Sequence, residues 1–335
     1  MALSAGSPAL KIACLLMLLF LSILVSLLTG SVPITTNELR EVLSLEGDHR
    51  LMTIVLDIRL PRSLLALMVG AGVAVAGASI QGLFRNPLAD PALIGVSAGA
   101  ALFAALFVVL GGSHGLALIG MTGSAFAGGL AATYVVLLVG QRGGGVSTML
   151  LAGIAINAIA LAGVGLLSYL SSDLQLRSIS VWALGSLNGA NWLAVLIASA
   201  IPLAIGLLYR ESVNLNVVTL GEEEAAYLGI SHQRLRVRII LLSALTVGIA
   251  VALTGVIAFL GLVVPHLVRM TLGSNHKTLL PGSALMGGLL LLLADTLARS
   301  LFAPAELPVG ILTALVGGPF FVFLILKEQR DRVTL

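Results

Sequence analysis

Ser97 stands in GVSAG (95–99), which has the G-x-S-x-G spacing of the nucleophile elbow of serine hydrolases. An elbow needs a strand before the serine, a helix after it and a His/Asp pair to activate the hydroxyl. Here a long Ala/Leu/Phe run follows Ser97 and no such pair is recognisably placed, so the match reads as coincidence. The histidines at 49, 114, 232, 266 and 276 show no H-E-x-x-H or other close metal-ligand spacing, so no metal site is expected. Lys11, Lys277 and Lys327 follow Leu, His and Leu; without a Gly-Lys pair no Walker A phosphate loop can form. If this chain uses ATP, another chain must hydrolyse it, and neither a catalytic residue nor a bound cofactor is expected here. Asp295, in LLLADTLARS (291–300), is the clearest carboxylate within an apolar run, with Arg299 four residues later on the same helical face. An intramembrane acid raises the possibility of a proton relay. Asp295 nevertheless lies about two turns from its helix end and has a partner, which favours a structural ion pair.

The elements that carry these groups follow from composition. Of 335 residues, 58% are hydrophobic and only 10% charged, with a mean hydropathy of +1.10. That balance belongs to an integral membrane protein. A helical crossing takes roughly 20 apolar residues, and nine runs have that character: 10–29, 63–82, 92–111, 115–140, 147–170, 192–209, 237–260, 283–301 and 308–326. The first lacks a convincing signal-peptide cleavage site and is kept as a span; it holds the single cysteine, Cys14, so a disulfide within the chain is excluded. Arg210, Arg234, Arg236 and Arg238 between the sixth and seventh runs, and Lys327, Arg330 and Arg332 in the tail, place both segments in the cytoplasm. An even number of crossings must separate them, so a tenth span is expected in GLVVPHLVRMTLG (261–273). With both termini inside, twelve Lys/Arg fall on the cytoplasmic side and six, at 40, 50, 59, 62, 177 and 299, outside. The formal charge of +3 is too small to argue for nucleic acid. The whole chain, 1–335, reads as a single membrane domain.

Small residues recur at helical spacing in VGAGVAVAGAS (69–79) and LAGIAINAIALAGVG (151–165), as close helix packing requires where lipid supplies no hydrophobic drive. Asn157, inside the second stretch, faces either a water-filled path or an interhelical hydrogen bond. TLGEEEAAYLGISHQRLRVR (219–238) predicts a short cytoplasmic helix: Gly221, then Glu222, Glu223 and Glu224 in a first turn favoured by the helix dipole, then Ala225, Ala226, Tyr227 and Leu228, and a stop at Gly229. Three glutamates suit a groove on a partner protein better than anionic lipid.

In chain order, IRLPR (58–62), RNPLADPALIGVSAGA (85–100), LLAGIA (150–155), GEEEAAYLGI (221–230), FLGLVVPHLVR (259–269), LLPGSAL (279–285), LLLAD (291–295) and ELPVGILTALVGGPFF (306–321) resemble the FecCD-type permeases, the membrane subunits of ABC importers for iron-siderophores, haem and cobalamin. The resemblance implies an all-α type II importer permease with ten transmembrane helices, spans 2–5 and 7–10 forming an inverted repeat. It implies a second copy of the chain, two cytoplasmic ATPases that bind ATP and Mg, and a periplasmic binding protein, all at the bacterial inner membrane. Residue by residue, Asn86, Leu88 and Ser147 match positions constricting the path. Arg59, Arg62 and Arg299 match positions that dock the binding protein. Gly221, Glu222, Glu223, Glu224, Ala225, Ala226, Leu228 and Gly229, within a loop of about 212–235, match the element that couples to the ATPase. The motifs look most like the haem branch, with siderophore and cobalamin permeases close behind. His266 earns no role as a haem ligand, because the Pro-His pair also occurs in relatives with other cargo. An ion-coupled secondary transporter is the alternative from another class, and Asp295 with its arginine partner serves it poorly.

Overall fold

The computed structural model describes residues 7–44, 47–111, 117–142, 146–301 and 305–333. Among them every regular element is helical. Helix α1 (Pro8–Leu28) starts on a proline and is capped by the Ser7 hydroxyl, which accepts from Leu10 N–H. A connecting stretch holds α2 (Thr36–Leu43), whose Thr35 and Glu38 form a capping box, and α3 (His49–Met52). A π-helical stretch at Thr53–Arg59 leads directly into α4 (Leu60–Leu83). A 3-10 turn at Pro91–Ile94 precedes α5 (Val96–Val109), then come α6 (Ala117–Arg142), α7 (Val146–Leu170) and α8 (Asp173–Ala183). The remainder comprises α9 (Trp192–Ala198), α10 (Ala200–Arg210), α11 (Ser212–Val218), α12 (Glu222–Tyr227), α13 (His232–Thr254), α14 (Leu260–Leu272), α15 (His276–Leu301) and α16 (Val309–Val333).

Seven of the described helices are long and apolar enough to cross a membrane, α9 and α10 counting as one rod, Trp192–Arg210. Three shorter apolar helices, Val96–Val109, Leu260–Leu272 and Val309–Phe323, coincide with the remaining expected spans. The span expected at 237–260 is displaced: the helix runs from His232 and ends at Thr254. Gly255 (φ 71°) and Phe259 (φ 66°) adopt left-handed conformations that break the chain there, and hydropathy, which registers only apolar side chains, runs straight through the break. Helices α2, α3, α8 and α11 were not anticipated.

Helix α4 is the central post, buried along nearly its whole length against α13, α14 and α15. Its small residues make that possible. A Cβ on Gly70 would collide with the Gly287 carbonyl, and one on Gly77 with the Gly261 carbonyl. On the second small-residue stretch, Gly153 lies against the Leu93 carbonyl. Gly77→Ala is therefore expected to destabilise the protein by about 3 kcal/mol, since overpacking here must move backbone rather than a flexible side chain. Gly206→Ala on α10, where nothing lies within 4 Å, should be neutral or slightly stabilising because alanine is the better helix former. Thermal melting of both variants in detergent checks the contrast; equal behaviour would refute the packing argument.

The two ends of the bundle are chemically distinct. At one, the end of α4 meets the start of α15, where Gly82 packs on the His276 ring, and Asn216 of α11 accepts from His276 N–H. Helix α12 belongs to this end. At the other, the start of α4 meets the late turns of α15 and the end of α1 through polar side chains. The halves of the chain echo each other. After α4, Arg85 (φ 49°) opens a passage without α-helix, closed by the 3-10 turn, into the 14-residue α5; after α13, Gly255 and Phe259 bound a passage of similar place into the 13-residue α14.

Candidate functional site

Helix α12 is built to be presented. Gly221 (φ 152°) turns the chain into it, three glutamates occupy its first turn, and Gly229 (φ 79°) ends it, with Ile230 N–H donating back to the Ala225 carbonyl. Ala225 is fully buried and anchors the turn, whereas Glu222, Glu223, Glu224, Ala226 and Gly229 are exposed. Leu228 is 65% exposed, Tyr227 90% and Leu220 69%. An acidic turn therefore sits beside a bare apolar patch. Tyr227 and Leu220 were absent from the expected coupling set. The signal was present, since large apolar side chains in a short charged loop need a reason to be there.

The passage between α4 and α5 carries Asn86 and Leu88 at its tip. Asn86 Oδ1 accepts Leu88 N–H at 2.9 Å, and Asp90 Oδ1 accepts Ala92 N–H at 2.7 Å, so side chains supply acceptors that no helix provides here. Pro87 and Pro91 cannot donate at all. Asn86 and Leu88 are exposed, as is Ser147 at the start of α7. Asn157 is different. Its Nδ2 donates to the Ala92 carbonyl at 3.0 Å and its Oδ1 is buried; of the two readings open for this residue, the hydrogen bond that holds α7 against the 3-10 turn is present. A cavity of about 300 Å³ lies between the two passages, lined by Val69, Val73, Asp90, Val247, Thr254 and Phe259 among others.

At the opposite end three arginines and two carboxylates interlock. Arg62 clasps Asp295 with Nε and Nη2, at 2.9 and 2.8 Å, and reaches Glu306 Oε2 with Nη1 at 2.8 Å. Arg299 approaches Asp295 only to 3.8 Å, while its Nη2 donates to the Ser26 carbonyl and to Ser26 Oγ, itself bonded to Ser63 Oγ at 2.8 Å. Arg59 donates to the Leu27 and Val32 carbonyls. Two guanidinium groups thus satisfy carbonyls of the last turn of α1, which has no intrahelical donors for them and carries the negative end of the helix dipole.

One expectation changes. Asp295 has Arg62, from another helix, as its main partner rather than Arg299. Arg59, Arg62 and Arg299 are 4%, 8% and 6% exposed in this chain, so each of the expected docking arginines is also held by acceptors within the subunit. Apolar spans enclose this end, and a guanidinium held there needs internal acceptors. Arg40, Arg50 and Arg177, by contrast, stand exposed. Among the described residues no cluster of three or more His, Cys, Asp or Glu could hold a metal ion.

This architecture has relatives. The chain is 48% identical over 331 residues to the hemin transport system permease protein HmuU of Yersinia pestis, covering 97% of this chain and 98% of that one. It is 40% identical over 279 residues to the vitamin B12 import system permease protein BtuC of Salmonella typhi, covering 82% and 84%. A solved inward-facing metal-chelate type ABC transporter superposes with a TM-score of 0.87 at 36% identity, covering 95% of this chain and 99% of that one. Residues 18–327 match the FecCD transport family, and with relatives this similar along almost its whole length the chain belongs to that family of ABC importer permeases.

Proposed function

We propose that this chain is the permease subunit of an importer that carries haem, or a related iron chelate, from the periplasm to the cytoplasm at the expense of ATP hydrolysed by a partner. The observation that carries the ATP-driven reading is the bare patch of Leu220, Ala226, Tyr227 and Leu228 beside an acidic turn on α12. Such a surface is costly to leave in water and suits a groove on an ATPase. Haem as cargo rests on the hemin permease relative, 48% identical end to end. Ten crossings in one domain, seven long helices and three short ones, return both termini to the cytoplasm, and positive charge concentrated at the α12 end supports that orientation. In this reading Asn86, Leu88 and Ser147, all exposed in the single chain, face the path between two copies of it. Docking of a periplasmic binding protein belongs to the other end, which carries Arg59, Arg62 and Arg299.

Reconstitution in liposomes tests the reading. Uptake of hemin should require the ATPase, the binding protein and ATP together, and cyanocobalamin should be carried far more slowly. Accumulation driven by a proton or sodium gradient without ATP would overturn the ATP-driven reading; equal uptake of both cargoes would overturn haem selectivity alone.

A further inference from the structure

Beside α12 lies a second cavity, of about 370 Å³, framed by the end of α6, the start of α7 and the first turns of α12 and α13. Its wall carries more polar and charged groups than that of the cavity at the broken helices: Gln141, Glu222, His232, Gln233 and Arg236, with Met149 among the apolar ones. Arg236 Nε is buried and makes no hydrogen bond among the described residues. The same holds for both ring nitrogens of His232. Glu222 Oε1 stands 3.3 Å from His232 Nε2, close enough for an ion pair but outside hydrogen-bond geometry, and its own side chain is half exposed. Arg85, across the passage after α4, adds its field to that of Arg236 at His232. The 23-residue α13 also begins here, and its cap residue Ser231 makes no side-chain hydrogen bond, so the first N–H groups of the helix have no side-chain cap.

Buried nitrogen donors without acceptors are costly, and here they gather at the positive end of a long helix with two arginines nearby. We infer that this cavity binds the phosphate group of an anionic ligand, held by Arg236, His232 and the N-terminus of α13. A phospholipid headgroup and free inorganic phosphate share that chemistry. The position, at the ends of membrane helices α6 and α13, favours the headgroup. Glu222 is then the competitor. It is the first residue of α12, so an occupant that takes over His232 frees the start of that helix from α13, linking the anion to the segment assigned to ATPase coupling.

Native mass spectrometry of the full-length chain in detergent, titrated with phosphatidylglycerol and separately with inorganic phosphate, tests the site. One saturable phosphate-bearing ligand per chain is expected. Arg236→Gln should weaken it about tenfold, the value of a charge-assisted hydrogen bond. Gln141→Glu, an exposed position where folding is not at stake, should weaken it comparably by adding negative charge to the wall. Glu222→Gln should tighten it by removing the competing carboxylate. Arg234→Gln, on the same helical turn but off the cavity, serves as the control and should change little. Displacement of phosphatidylglycerol by inorganic phosphate would assign the site to phosphate from either source, and failure to displace would assign it to the headgroup. Absence of saturable binding by both probes, or equal losses in Arg234→Gln and Arg236→Gln, would overturn the assignment and leave only diffuse surface charge.

Discussion

Asp295→Asn is expected to lower stability by about 3–5 kcal/mol, the cost of removing one partner from a buried ion pair. Asp295 is 1% exposed, and its carboxylate neutralises Arg62, which receives a two-point clasp, and Arg299, which stands further off. Asparagine keeps the shape and removes the charge, leaving two cations with one half-shielded carboxylate, Glu306, between them. The melting temperature in detergent should fall by roughly 10 °C. Glu306→Gln is the internal control. Its side chain is 34% exposed, water screens what it contributes, and the loss should stay below about 1 kcal/mol. The double variant Asp295→Asn, Arg62→Gln should be less destabilised than the sum of its parts, because the uncompensated charge goes with its partner. Equal melting of Asp295→Asn and the unmodified protein would show that the network stores little energy.

The same network changes how a docking experiment must be read. An Arg59→Glu, Arg62→Glu double variant would place two carboxylates where the α1 carbonyls and Asp295 already supply negative charge. Loss of binding-protein response in that variant would follow from loss of the α1 and α15 contacts as well as from loss of docking. Melting has to be measured first; Arg40, Arg50 and Arg177 are exposed, so charge reversal there leaves this network intact.

Why the sequence hid the burial of these arginines is physical. Charge at a span end looks the same in one dimension whether it faces water or turns inward. The deciding facts are the orphan carbonyls of Ser26 and Leu27, about 270 and about 30 residues away, respectively, from the arginines they accept from. Asp295 was legible as a structural acid, because a carboxylate within an apolar run needs a cation, but Arg299 at i+4 was merely the nearest candidate. The apolar helices were legible from hydropathy, and α14 from parity of crossings, which called for a helix that Pro265 and His266 disguise. The break at 255–259 was not, since its cause is backbone conformation at Gly255 and Phe259. The role of small residues on α4 was readable from spacing, and so was Asn157's need for a partner. Which carbonyl satisfies it, that of Ala92, depends on a 3-10 turn no periodicity reveals.

Coupling should be lost when Tyr227 and Leu228 are replaced together by aspartate. Both side chains are at least 65% exposed in this chain, so the substitutions cost the subunit's own fold almost nothing and the melting temperature should not move. Inserted into a partner's groove they would act as central apolar anchors, where truncations cost 2 kcal/mol or more each; two buried carboxylates facing an acidic first turn are worse. Binding of the ATPase should weaken by at least about thirtyfold, and binding-protein-stimulated hydrolysis and hemin uptake should fall with it. Ala226→Trp separates contact from transmission. A bulky ring at an exposed position leaves the helix intact but cannot fit a groove shaped for a methyl group, so assembly should be impaired even though charge is unchanged. Ala225→Trp should behave differently again, because Ala225 is fully buried and the ring would dislodge α12 from its own subunit, lowering the melting temperature as well. The ordering discriminates: if the Tyr227, Leu228 pair can be made acidic with ATP-driven uptake intact, α12 is a surface turn of this subunit and the ATPase grips the permease elsewhere.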